Sequence, residues 1–333
     1  MSDMNRRDFG RLGLAALAFG GSERPALQAW EQGVPPRAYR YIHLDVFTDK
    51  RMQGNQLFVF IQPAGLDTET MQLMTRESNL SECTFVLPPE LAGTDHRVRI
   101  FTRTAETPFA GHPTIGTAFA LAHAGVLKPG LARTTFGLGV GPINLDLDWK
   151  DGRLAFAWMT QLKPVFGKTV TDGAALAAAL GVEALDGRAA PQEVNCGSNF
   201  FIVPLPTRQA VDAAVLDRAK VDAVFAAAGI QRRGIYAFSV ERGADDATAY
   251  SRMLPSGGLE DPATGSAVGP AGCFAANYGL VPPDRIGAMT FLQGVFARRP
   301  SRLHVTVTMS GAEVTEVKVG GASVVVGDGS MTV

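Results

Sequence analysis

The chain has 333 residues, 46% of them hydrophobic and 19% charged, with a formal net charge of −1. That length exceeds the roughly 100–200 residues of an ordinary domain and points to two domains, and the composition is globular, neither disordered nor fibrous. A near-neutral body without a Lys/Arg cluster lacks the electrostatic footprint of nucleic-acid or anionic-membrane binding, which leaves a small molecule as the expected partner.

Residues 1–40 stand apart from the rest. In "NRRDFGRLGLAALAFGG" the paired Arg6 and Arg7, then Phe9 and a short apolar run, resemble a twin-arginine export signal, which implies a periplasmic protein. Read instead as a basic amphipathic extension, the same residues leave the protein in the cytoplasm. The apolar run is too short to span a bilayer. A polar, Pro-containing linker, "SERPALQAWEQGVPPRAYR", follows, and the folded body is expected to begin near Tyr41.

Residues 41–47 alternate as a strand does, and a turn over "DKRMQGNQ" leads to a strand at 57–60. Asp67 is placed to cap a helix over "TETMQLMTRESN". Strands "CTFVL" and "HRVRIFT" precede a segment starting at Glu106, "ETPFAGHPTIGTAFALAHAGVL". Beyond it, strands are expected around 143–149 and 154–158, a helix after Asp172, a strand at 200–205, a helix over 217–228, and strands at 235–240 and "YSRML". A segment starting at Glu260, "EDPATGSAVGPAGCFAANYGLV", then leads to strands "LHVTVTM", "EVTEVKV" and "SVVV". Many short strands with few helices, in no regular alternation, argue for an α+β fold over a doubly wound sheet.

The segments at Glu106 and Glu260 are two copies of one pattern. Glu106/Glu260, Pro108/Pro262, Gly111/Gly265, Ala122/Ala276 and Gly125/Gly279 are all separated by the same 154 positions. After each first Gly comes a run that is small or apolar nearly all round, and a helix without a polar face must be surrounded by protein. Each copy therefore predicts a helix threaded through its own sheet or barrel. Pro113 in the first turn and Gly125 past the end fit that reading; Pro270 lies deeper and predicts a kink or a late start. The Gly-rich starts expose unpaired N–H groups at the positive end of the helix dipole, so two facing copies would grip one carboxylated substrate. Gly111 and Gly265, with His112 and Ser266 at matching positions, are the candidates for that grip; the simpler alternative is that the glycines only permit tight turns.

Cys83, Cys196 and Cys273 are scattered, and the five histidines show no ligand spacing, so neither a disulfide framework nor a metal site is expected.

The motifs "DVFTDKRMQGNQLFVF", "NLSECTFV", "RIFTRTAETPFAGHPTIGTA", "EDPATGSAVG" and "QGVFARRPSRLHV", in that order, resemble the phenazine-biosynthesis PhzF-like isomerases from about Tyr41 to the C-terminus. The resemblance implies a diaminopimelate-epimerase-like fold of two pseudo-symmetric halves, each a rolled, mostly antiparallel sheet or barrel around a central helix. The site would lie between them, without a cofactor, in a protein that is usually a homodimer. Residues 41–130, completed by C-terminal strands at about 315–333, would form the first barrel and residues 131–314 the second. It also implies that Glu82 of "LSECTF" is a general acid/base and that His112 and Asp261 polarise or orient the substrate. Gly111, Gly265 and Ser266 would hold the substrate's carboxylate, and Asn55 would line the cleft; Gln56 stands where the family often has Pro.

Racemases of the wider fold oppose two cysteines across the α-carbon, but Ala110 and Thr264 occupy those two places here. Cys83 cannot replace them, because neighbours on a strand face opposite ways. A single carboxylate without an opposed partner suits a proton shift within one face of an unsaturated substrate. An epimerase using Glu82 with an opposed acid such as Asp261, and a non-catalytic periplasmic carboxylate binder, are the alternatives.

Overall fold

The computed structural model describes residues 37–255 and 257–333. The export-signal-like segment and most of the linker lie outside the described residues. The first run of elements is β1 (Ala38–Val46), β2 (Asn55–Ile61), α1 (Thr68–Ser78), β3 (Glu82–Leu87), β4 (His96–Thr102), β5 (Glu106–Thr107), α2 (Gly111–His123), β6 (Arg133–Leu138), β7 (Gly141–Lys150) and β8 (Arg153–Thr160). The second is β9 (Val165–Thr169), α3 (Gly173–Ala179), β10 (Gln192–Asn195), β11 (Asn199–Pro204), α4 (Arg208–Ala213), α5 (Arg218–Ala227), β12 (Gly234–Ser239), β13 (Ala249–Leu254), α6 (Gly265–Asn277), β14 (Met289–Gln293), β15 (Ser301–Ser310) and β16 (Glu313–Gly321). β17 (Ser323–Thr332) closes the chain.

The two runs share one plan. β2 and β3 are parallel across α1, and β4 and β6 are parallel across α2. In the second run β11 and β12 are parallel across α4 and α5, and β13 and β14 are parallel across α6. The remaining pairings are antiparallel, so the fold is α+β, as the sequence predicts. β9 opens the second run by pairing with β10, while β17, which follows that run, pairs with β1 and so returns to the first run's sheet. β8 and β16 pair antiparallel and fuse the two wraps into one sheet.

This connectivity corrects the expected boundaries. β6, β7 and β8 lie beyond residue 130 yet continue the first sheet from β4, and β8 packs on α2. The first wrap thus runs through Thr160. At the other end only β17 returns to it, because β16 pairs with β15 and packs on α6.

Residues 111–121 of α2 and 265–275 of α6 are buried without exception, the all-round enclosure predicted for helices without a polar face. Strand alternation supplies the enclosing surface: Ile42, Leu44 and Val46 of β1 point into the core that holds Ile115 and Ala118. α6 begins at Gly265 with Pro270 inside it, so the late start allowed for above does not occur. Asp67 and Asp172 cap α1 and α3 through their side chains, as their positions predict. α1 covers the outer face of the first sheet over Phe60, Phe85 and Phe101, and α3 to α5 cover the second over Phe201 and Leu205.

Candidate active site

The two buried helices meet at their N-termini. A Cβ placed on Gly111 would stand 2.5 Å from the Gly265 Cα and 2.6 Å from the Ser266 nitrogen, distances that no side chain survives. Glycine at both positions lets the two backbones touch. The N-cap residues Ala110 and Thr264 make no side-chain capping bond, so the first N–H groups of both helices stay unclaimed by caps. Two positive helix ends therefore converge on one point between the halves.

The polar residues expected from the sequence gather there. Asn55, at the start of β2 and buried, donates from Nδ2 to Asp261 Oδ1 at 2.6 Å and to the Ala263 carbonyl at 3.0 Å, and lies 3.1 Å from His112 Nδ1. Two amide hydrogens thus serve three acceptors, which keeps the imidazole and the carboxylate in one network. His112 Nδ1 is also 3.6 Å from Glu82 Oε2. The Glu82 side chain, at the first residue of β3, is 18% exposed against 3% for His112, so it is the more open of the two. Ser81 donates to Asn55 Oδ1 at 3.4 Å, and Thr264 donates to Asp261 Oδ2 at 2.6 Å. A cavity of about 460 Å³ opens onto Asn55, Ser81 and Asp261 and is flanked by Arg103, Leu259 and Phe296. Ser266 is buried on the second residue of α6, the place that His112 takes on α2.

Burial sets the electrostatics. Loss of water, reinforced by the charge of Asp261 and opposed by the Ser81 hydroxyl, pushes Glu82 up to about 8. Burial also raises Asp261, to about 6, against the hydrogen bonds from Thr264 and Asn55 that favour its charged form. Two acids in one dry site resist ionising together, so the site holds on to a proton closer to neutrality than either carboxyl would in water. Burial drives His112 down to about 3, so its imidazole is neutral throughout the working range. Asp261 lies close enough for its charge to act on Glu82, the pairing that the epimerase alternative invokes. Cys83 faces away, sealed under α1 with Ser78 Oγ 3.2 Å from its sulfur.

A stability signature follows from Glu82. The unfolded side chain titrates near 4.5 and the folded one near 8, so between those values the folded protein holds a proton that the unfolded chain has released. Stability from this group is complete below the lower value and is lost as pH rises through the upper one. Denaturation midpoints of the wild type, measured from about pH 5 to 8, should fall relative to those of Glu82→Gln; parallel curves would show an ordinary carboxyl.

The sequence reading overlooked several residues. Glu260 matched Glu106 in the repeat, and each holds an arginine on the preceding strand: Glu106 takes Arg99 at 2.6 Å on the surface, Glu260 takes Arg252 at 2.8 Å in the interior. The repeated glutamate thus anchors an arginine in both copies. Gln161 donates to the Gly265 carbonyl at 2.9 Å, and Gln293 bonds Asp261 and Thr264. Only the motif "QGVFARRPSRLHV" signalled the second of these, without giving it a task. Among the described residues, no three His, Cys, Asp or Glu side chains cluster as a metal site requires, and no helix is long and apolar enough to cross a membrane.

Two wraps, each around a buried helix, with carboxyl groups between the helix starts, define the class to which this fold belongs. A family model for phenazine biosynthesis-like proteins (PhzC–PhzF) matches residues 44–329, and the chain belongs to that family. It is 37% identical over 293 residues to the trans-2,3-dihydro-3-hydroxyanthranilate isomerase of Pseudomonas aeruginosa, covering 85% of this chain and 95% of that one. An uncharacterized isomerase of Mesorhizobium japonicum is 34% identical over 313 residues, covering 87% and 98%. A Bacillus anthracis PhzF-family crystal structure superposes with a TM-score of 0.78 at 25% identity, covering 89% of this chain and all of that one. A predicted epimerase from P. aeruginosa superposes at 0.73 with 31% identity, covering 88% and 99%. The protein is an enzyme of the isomerase class. A hydroxyproline epimerase from Agrobacterium vitis, at 12% identity and a TM-score of 0.64, shares the fold alone.

Proposed function

We propose that the protein moves a proton within one face of a small, carboxylated, unsaturated substrate, without a cofactor and with Glu82 as general acid/base. The observation that carries this reading is Glu82 itself, next in the chain to the cavity-lining Ser81, 18% exposed and pushed to about 8, where it can both give and take a proton. The substrate carboxylate sits against the N–H groups of the facing helix starts at Gly111, Gly265 and Ser266, and His112 and Asp261 orient the substrate. Glu82 removes an allylic proton, the π electrons shift by one bond, and the same proton or one from solvent returns at the far carbon. Atoms and charge balance without an outside reagent.

The name of the P. aeruginosa relative supplies a first probe, trans-2,3-dihydro-3-hydroxyanthranilate. Incubated with the protein in D₂O, this compound or a related unsaturated acid should yield a rearranged product, with deuterium at the new carbon to the extent that Glu82 exchanges with solvent. Neither rearrangement nor exchange with any small unsaturated acid would leave only a binding protein. The pairing of Glu82 with Asp261 favours a second reading, epimerisation by two acids, which would show as loss of optical activity without migration of a double bond. Ser266→Ala should weaken binding of a carboxylated ligand by about 1–3 kcal/mol by removing a buried hydrogen-bonding group. Equal affinity by calorimetry would move the carboxylate elsewhere.

A further inference from the structure

The segment linking β14 to β15 carries the motif to which the proposed function gives no role. At one end Gln293, fully buried, uses all its hydrogen-bonding capacity on the second half. Its Nε2 donates to the Asp261 carbonyl at 2.9 Å and to Thr264 Oγ1 at 3.0 Å, while its Oε1 accepts from the Thr264 nitrogen at 3.1 Å and from Tyr236 at 3.2 Å. At the other end Arg299 reaches into the first half. Its Nε donates to the Gly54 carbonyl at 2.7 Å, and its Nη2 donates to the Gln53 carbonyl at 2.8 Å and to buried Asp45 Oδ1 at 2.5 Å. The Gly54 nitrogen returns a bond to the Pro300 carbonyl. Between the ends, a Cβ on Gly294 would stand 2.5 Å from the Pro262 carbonyl oxygen, so this backbone lies directly on the loop bearing Asp261.

Gln53 and Gly54 immediately precede Asn55, the residue that hydrogen-bonds Asp261. We propose that the Gln293–Arg299 segment is a positioning brace that sets Asn55 and Asp261 against each other across the two halves, with Arg299 as its decisive positioning residue. This deepens the proton-transfer reading and rests on it. A lysine at 299 would keep the charge facing Asp45, but a single ammonium cannot reproduce the guanidinium fork that reaches the carboxylate and two carbonyl oxygens at once.

The experiment compares Arg299→Lys, Arg299→Ala and Asp45→Asn in the full chain, with Asp45→Asn/Arg299→Ala in reserve should the unpaired buried carboxylate prevent folding. Loss of the brace lets Asn55 withdraw from Asp261, whose charged form then loses a hydrogen bond among its neighbours Glu82, Glu260 and His112. In protein labelled with ¹³C at aspartate carboxyls, Asp261 should titrate at higher pH in both Arg299 variants. Turnover of the isomerised acid should fall about 10²-fold with KM little changed, as expected of a misplacement near 1 Å. Asp45→Asn, which leaves Arg299 bonded to both carbonyls, should retain more turnover than Arg299→Lys, and guanidinium ion well below denaturing concentration should partly restore Arg299→Ala. An unmoved Asp261 titration, or losses that only track the folded fraction in all variants, would make the segment a plain structural tie and overturn the proposal. If the wild type isomerises nothing, the proposed function fails by itself, and the Asp261 titration still decides the brace.

Discussion

Glu82→Gln should lower turnover by at least about 10²–10⁴-fold, the usual cost of removing a general acid/base, while ligand binding survives. Glutamine keeps the length and most of the hydrogen-bonding shape of the residue, and Ser81 and His112 remain beside it, but it cannot accept a proton. Glu82→Asp separates chemistry from placement. The carboxyl is retained but withdrawn by one methylene, and a misplacement of about 1 Å costs about 10²-fold, so some activity should remain. The pH profile of the wild type should carry a limb from Glu82, raised to about 8 by burial and by Asp261, and that limb should vanish in the Gln variant. Normal turnover by Glu82→Gln would make the residue structural and shift the proton transfer to Asp261, the other carboxyl in the site.

Of the two glycines at the facing helix starts, Gly111 should tolerate a methyl group less. Its Cβ meets the backbone of Gly265 and Ser266, which cannot rotate aside as a side chain can; the two helix starts must separate instead. Overpacking of this kind costs about 1–3 kcal/mol of stability, and the same displacement moves Ser266 and His112 apart, adding a loss of about 10²-fold in turnover. Gly265→Ala should be milder. Its Cβ meets the Phe47 ring at 2.8 Å and the Gly111 Cα at 3.1 Å, and a ring edge can yield where a backbone cannot. Denaturation curves and turnover for the two variants test the order. If Gly265→Ala is the worse of the two, the helix starts do not approach as described.

The sequence by itself determined the central architecture, because the signals involved are local and periodic. Two apolar runs 154 residues apart, each opening on glycine, could only be enclosed helices, and both are enclosed along residues 111–121 and 265–275. Asp67 and Asp172 marked helix starts because a capping bond spans only a few residues. Glu82, His112, Asp261 and Asn55 were legible through motifs, and the tertiary structure brings them into one network. What lay beyond reach were relations between distant segments. Strands β6, β9 and β10 are short and weakly patterned, and owe their form to pairing partners rather than to propensity. The attachment of β6 to β4, which carries β6, β7 and β8 into the first sheet and displaced the expected boundary, is a matter of register between strands far apart in the chain. That Glu260 braces Arg252 in the interior while its repeat partner Glu106 holds Arg99 at the surface depends on burial, which identical letters do not reveal. The height of Glu82's titration was decided in the same way, by water excluded when two halves close around a residue and by an acid 179 positions further along the chain.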